Sequence, residues 1–330
     1  MREIKAGRRK FFVLLATASV FSIFFVGKVS ATPAGDNIII SEVEYDASTE
    51  SGGEWFELYN PTRNTIDISG WTITDGEGVI TFPAGTTIAS GNYFLAAKVT
   101  ADFLSEHTTL STSDVDLEYS AGHTSGSFTL ANSGDELTIA NGGTTIDYLA
   151  WEGVSGWSIL ATDGKSVARS SSVDTDLESD WSSNQTPSPG NGNLALLNTA
   201  PVNSVPGAQS TDDNSALVFS TVNGNPISIS DEDAGSADVQ VTLTVTKGSL
   251  TLNGTTGITS FSSGDGTTDP TMTFKGPLAS INAALDGLKY LPNTGHSGSD
   301  SLNITTDDLG ASGSGGAQSD NDAVAINSHQ

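Results

Sequence analysis

The chain has no cysteine, so no disulfide can staple it, no thiolate can bind a metal, and no lipid can be attached to an N-terminal cysteine. Basic residues are also scarce, with 13 Lys+Arg against 39 Asp+Glu. A surface of that sign repels phosphate backbones and makes nucleic acid an unlikely partner. Catalytic motifs are missing as well. GxSxG, HExxH and the P-loop pattern do not occur, and His107, His123, His296 and His329 stand singly in loop-like sequence. There is no cell-wall sorting motif and no calcium-binding nonapeptide of the GGxGxDxUx type. Composition and motifs together argue against an enzyme.

Long apolar runs are limited to one, Phe11 to Val26. Its 16 residues fall short of the roughly 20 that cross a bilayer. Arg2, Lys5, Arg8, Arg9 and Lys10 precede it, and Val29-Ser30-Ala31 places small residues at −3 and −1 of a cleavage point. Residues 1–31 are therefore read as a secretory signal peptide, with no membrane span after cleavage; Lys28 just before the cut keeps an uncleaved anchor as the alternative. This leader holds six of the 13 Lys+Arg and one of the 39 Asp+Glu, leaving 7 basic against 38 acidic groups, a formal charge of −31. Such a chain attracts cations, and the leader makes it an expected secreted or cell-surface protein.

What is abundant is Gly, Ser, Thr, Asn and Asp, a mix that suits turn-rich β structure and opposes a helical bundle. In EWFELYN, Phe56 and Leu58 point one way while Trp55, Glu57 and Tyr59 point the other, the period of a strand lying on a core. Asn60-Pro61 breaks that ladder, Gly70-Trp71 reopens a strand, and Phe82-Pro83-Ala84-Gly85 closes the next. Short strands divided by turns predict an antiparallel sandwich. The pieces Ile38–Asp46, Glu54–Pro61, Ile68–Trp71 and Phe82–Leu95, with Asp147–Gly153, Lys165–Arg169 and Asp180–Asn193, resemble the lamin tail domain of nuclear lamins and secreted bacterial proteins. The resemblance covers residues 34–194 and implies an immunoglobulin-like sandwich.

Residues 186–211 carry four prolines and little periodicity, and 195–211 are read as an extended linker leading into an edge strand. Strand signals return at Val239–Thr246, Ser249–Leu252, Met272–Phe274, Leu288–Pro292, Ser301–Thr306 and Ala323–Ile326. One helix interrupts them: Pro277 suits a first turn, Leu278, Ile281, Ala284, Leu285 and Leu288 recur at helical spacing, and Gly287 ends it. NTAPV (Asn198–Val202), ISISDEDAG (Ile227–Gly235), INAALDGLKYLPN (Ile281–Asn293) and DSLNITTDDLG (Asp300–Gly310) resemble the cadherin-like, immunoglobulin-like repeats of large bacterial adhesins. Residues 212–328 are thus expected to form a second β-sandwich. Only one copy is found; a neighbouring repeat would usually begin where the chain stops at Gln330. The fold class is all-β, two tandem sandwiches after a leader.

Carboxylates carry the site expectations. Asp231 and Asp233 follow one strand, Asp307 and Asp308 another, and Asp320 and Asp322 precede the last. Alternate carboxylates place oxygens on one side of a turn, and calcium takes roughly six to eight oxygens at about 2.3–2.6 Å. Asx turns in solvent are the alternative reading of the same residues. The adhesin resemblance implies that Asp231, Asp233, Asp307, Asp308, Asp320 and Asp322 hold calcium between neighbouring domains. Trp151 and Trp157 flank a glycine turn and are a weaker candidate, as an exposed ligand platform or as core, with core packing favoured. The expected function is a non-catalytic binding or adhesion module, calcium-stabilised, contacting a surface protein or glycan. The alternative is the non-catalytic part of an extracellular hydrolase such as a nuclease.

Overall fold

A computed structural model describes residues 37–49, 52–192 and 194–330. The leader expected at residues 1–31 lies outside the described residues. The described chain is almost entirely β, arranged as two sandwiches, each around its own core.

In the first sandwich a six-stranded sheet runs in the order Trp181–Gln185, Lys165–Arg169, Ile39–Asp46, Trp55–Tyr59, Tyr93–Ala97, Leu117–Glu118, antiparallel except for the last pair. A five-stranded antiparallel sheet faces it, in the order Thr144–Ala150, Glu136–Asn141, Thr72–Thr74, Gly78–Thr81, Thr124–Gly126. Phe56 and Leu58 meet Ile73, Ile80, Leu137 and Ile139 between the sheets, as the alternation requires. A bulge between Ile40 and Glu42 moves the phase of the first strand, so that Ile38 and Ile40, then Val43 and Tyr45, all reach the core.

The outer face of the six-stranded sheet is covered too. Every residue of Trp55–Tyr59 is buried. The short helix Thr100–Glu106, which carries no strong periodic signal, lays Phe103 over Trp55 in an edge-on contact. Beside it residues 188–192 and 194–197 strap the sheet. Tyr93 Oη donates to Gly192 O at 2.5 Å and Tyr59 Oη to Leu194 O at 3.0 Å.

The second sandwich sets a six-stranded sheet, in the order Gln209–Asp212, Ser319–His329, Gly298–Asp307, Asp238–Thr244, Thr271–Pro277, Ser260–Ser263, against the strands Leu217–Phe219, Leu288–Pro292 and Gly248–Thr251. Its core joins Val241, Leu243, Phe274, Leu302 and Ile304 to Phe219 and Tyr290. The expected helix is present as Leu278–Leu285, with Ile281, Ala284 and Leu285 buried. Gly287, at φ +113°, follows it in the left-handed region that glycine adopts without a Cβ penalty.

The linker expectation requires correction. Within 195–211, Val202–Ser204 pairs with Ser228–Ser230, whereas Gln209 opens the expected edge strand, which runs parallel to Ser319–His329. Leu197 N donates to Pro61 O and Asn198 N to Ser314 O. The prolines mark the ends of short paired stretches, because backbone groups that are buried must find partners whatever the local composition.

Candidate cation site at the junction of the two sandwiches

The six aspartates singled out in the sequence separate by strand phase. Asp320 and Asp322 share the face of Val324 and Ile326, and Asp308 that of Ile304 and Thr306; Asp307 falls on the opposite face, level with Gln240. Asp307 Oδ1 accepts from Leu309 N at 2.7 Å in a local turn. Asp320 accepts from Asn203 N and Asn321 N, at 2.7 and 2.8 Å. Asp308 is buried, accepting from Gly310 N and Gln318 N through Oδ1 and from Asn198 Nδ2 through Oδ2.

Asp231 and Asp233 come together. Asp231 Oδ1 accepts from the backbone of Asp233 and Ala234, while its Oδ2 is buried without a hydrogen-bond partner. Asp233 accepts from Thr199 N and Oγ1, and from Arg63 of the first sandwich at 2.6 Å. Burial, then the neighbouring Asp233, raises the pKa of Asp231. Burial acts the same way on Asp233, but contacts with Asp231, Thr199 and Arg63 outweigh it and hold that carboxyl below its ordinary value. A pair split in this manner is a place where a cation or a proton is retained. Arg63, Asn198 and Thr199 escaped the functional reading of the sequence; the signals were a rare base and an Asn-Thr pair ahead of a proline.

No three of the six aspartates converge closely. Among the described residues, the group of three carboxylates within metal-binding reach is Asp147, Asp174 and Asp176. A cation already serves that place. Arg169 Nη2 donates to Asp147 at 2.7 Å and Asp174 at 3.1 Å, its Nε donates to Ile40 O, and its guanidinium lies 4.8 Å from the Trp181 ring. Burial would lower the Arg169 pKa, but Asp147, Asp174 and Asp180 outweigh it and raise the pKa.

The Trp151 expectation requires correction as a platform. Trp151 is fully buried, stacked on Tyr45 at 4.7 Å, with its Nε1 donating to Ala131 O. A ring that size gains more from core burial than an exposed turn could offer. Trp157 is partly buried, edge-on to Tyr148.

A second acidic group lies under the strap. Glu42 accepts from Ser166 and Ser188, and Glu44 from Trp55 Nε1. Glu57 takes Ser41 Oγ at 2.7 Å and Gly190 N at 2.5 Å. Burial pushes the Glu57 pKa up to about 8, with Glu42 and Asp116 adding to the rise and the two hydrogen bonds opposing it.

Residues 31–153 match the family model described as Lamin Tail Domain. No curated protein matches the chain. Among solved structures, domains 4 and 5 of the S-layer protein SbsC share 11% identity over 81% of this chain and 100% of that one, with a TM-score of 0.17. A structure of domains 1–6 of the same S-layer protein shares 10% identity over 81% of this chain and 28% of that one, at a TM-score of 0.16. A chain from a structure titled as manganese lipoxygenase of Gaeumannomyces graminis and partial zonadhesin of Komagataella pastoris shares 12% identity over 90% of this chain and 95% of that one, at 0.21. Likenesses at these scores do not establish a common arrangement.

Proposed function

We propose that this chain is a non-catalytic binding and adhesion module of the cell exterior, built from a lamin-tail-type scaffold and a calcium-stiffened, cadherin-like second sandwich. The scaffold would present loops and sheet edges to a surface protein or glycan. Calcium would be held by Asp231 and Asp233, with the Thr199 hydroxyl beside them, and would fix the junction by neutralising carboxylates that otherwise repel. One observation carries this reading: the buried Asp231 Oδ2 meets no hydrogen-bond donor and is faced by the Asp233 carboxylate, so that a proton or a cation must lie between the two. An oxygen in that state costs on the order of 1–3 kcal/mol unless a ligand completes it. The Asp233 carboxylate and the Thr199 hydroxyl beside it are oxygen ligands of the kind a hard cation takes, although Arg63 already neutralises part of the charge on Asp233. Asp307, on the opposite face, is not part of this site.

Calorimetry of the full chain in millimolar calcium and in chelator tests it. Calcium is expected to raise the transition of the second sandwich, and Asp231→Asn to abolish that rise. Equal melting in both conditions would remove calcium from the function.

A further inference from the structure

Residues 188–192 and 194 cross the outer face of the six-stranded sheet without pairing as a strand. Among the described residues, their bonds to that sheet run to side chains. Ser188 N and Oγ donate to Glu42, and Gly190 N donates to Glu57. Tyr93 Oη donates to Gly192 O and accepts from Leu194 N, and Tyr59 Oη donates to Leu194 O. Gly192 lies so flat on Tyr93 that a Cβ would come within 2.8 Å of the phenol oxygen. The segment is tied at both ends. The strand Trp181–Gln185 precedes it, and beyond it Ser172 Oγ donates to Ala195 O and Leu197 N to Pro61 O.

The two carboxyls beneath this cover stand directly opposite each other on neighbouring antiparallel strands, 2% and 0% exposed. Like charges in that position oppose pairing. Among the described residues neither Glu42 nor Glu57 has an ion-pair partner. The bases around them are engaged elsewhere. Lys165 stands opposite Asp46, Lys98 is bonded to Glu54, Arg169 to Asp147, and His107 faces Glu44 at 3.4 Å. The other charged neighbours, Glu44 and Asp116, are acidic and add to the repulsion on Glu42 and Glu57 respectively. Burial raises both members of the pair, Glu57 to about 8, against the opposing pull of their hydrogen bonds. A second negative charge here needs water, and water needs one cover to leave. The cover that belongs to no strand is the segment at Ser188 and Gly190.

We propose that residues 188–192 and 194 are a pH-operated latch, closed over a Glu42–Glu57 pair that holds one proton and released when that proton is lost. Release hydrates both carboxylates and bares the Tyr59 and Tyr93 rings, whose centroids lie 4.6 Å apart. The bonds at Ala195 and Leu197 stay in place, so the second sandwich remains attached. The sign follows from the raised acid: the closed state is full below the ordinary glutamate range and is lost as pH rises through about 8. The Tyr93 phenol, pushed up to about 12 by burial, keeps its proton throughout that window. Calcium plays no part in the latch.

Amide hydrogen exchange of the full chain at pH 6 and pH 9, in chelator, tests it, with each rate divided by that of an unstructured chain at the same pH. A raised acid shifts the opening equilibrium about tenfold per pH unit between its open and closed values. Protection of the amides of 188–192 is therefore expected to fall at least about tenfold, toward that of an open chain, while Glu136–Asn141 in the opposite sheet stays protected. Glu57→Gln, which keeps an acceptor for Gly190 N and cannot ionise, is expected to hold the segment closed at both pH values. Glu42→Gln removes the facing charge and is expected to blunt the release, which keeps the test open should the first variant fold poorly. Undiminished protection of 188–192 at pH 9 in the native chain would overturn the proposal. So would the same loss in both variants, or a loss in Glu136–Asn141 as complete as in 188–192, which marks general unfolding.

Discussion

Arg63 of the first sandwich and Asp233 of the second meet at 2.6 Å, with 18% and 5% of their side chains exposed. The contact is neither a surface pair nor a buried one, and it joins the two sandwiches through a charge-assisted bond. The backbone bonds from Leu197 to Pro61 and from Asn198 to Ser314 run alongside it.

Arg63→Ala is expected to loosen this junction by about 1–3 kcal/mol, the range for a hydrogen bond to a charged group with its partner left behind. Differential scanning calorimetry should show the transitions of the two sandwiches drawing apart. Unchanged transitions would mean that the backbone bonds alone hold the junction.

Glu57 gives the first sandwich a pH dependence of definite sign. Its pKa is about 8 in the folded chain, above the value of an unfolded glutamate. The folded state therefore keeps a proton that the unfolded state releases. Stability is full below the unfolded value and falls as pH rises toward 8, by about 1.4 kcal/mol per pH unit. Glu57→Gln is expected to flatten this slope and to stabilise the protein at pH 8–9, as read by urea denaturation at several pH values.

Trp151→Ala is expected to cost about 3–5 kcal/mol, because it empties a buried site beside Tyr45 and removes the bond to Ala131. Trp157→Ala, at a partly buried position, should cost markedly less. Chemical denaturation of both variants distinguishes core from platform; similar small losses would contradict the stacked arrangement.

Arg169→Ala should be among the most damaging changes, at about 3–5 kcal/mol, since Asp147 and its neighbours would be left as uncompensated buried charge. Arg169→Lys should not restore stability, because an ammonium cannot reach Asp147, Asp174 and the Ile40 carbonyl together. Full rescue by lysine, measured as an unchanged denaturation midpoint, would refute that account.

Much of the fold is legible in local pattern. Phe56 and Leu58 face the core because a strand alternates, and the helix Leu278–Leu285 follows from its spacing between Pro277 and Gly287. The faces of Asp320 and Asp322 follow from the same alternation, which also separates Asp307 from Asp308. Local pattern fails where a residue's surroundings come from far along the chain. Proline content marks 195–211 as a linker, but Val202–Ser204 finds its partner in Ser228–Ser230. Trp151 reads as core by preference, and the platform alternative stays open in the sequence because Tyr45, the ring it stacks on, comes from the far end of the same sandwich.

The sequence by itself determined that this is an all-β chain of strongly negative charge, without thiol chemistry, and with a lamin-tail-like pattern in its first half. Period two and turn residues act over a few positions, so they can be read directly. Only the tertiary structure decided what becomes of the carboxylates. Glu57 is buried under Gly190, 133 residues later, and Asp233 is joined to Arg63, 170 residues earlier. An aspartate in solvent and one in a site are identical in sequence. They differ in which distant segment covers them, and packing alone sets that.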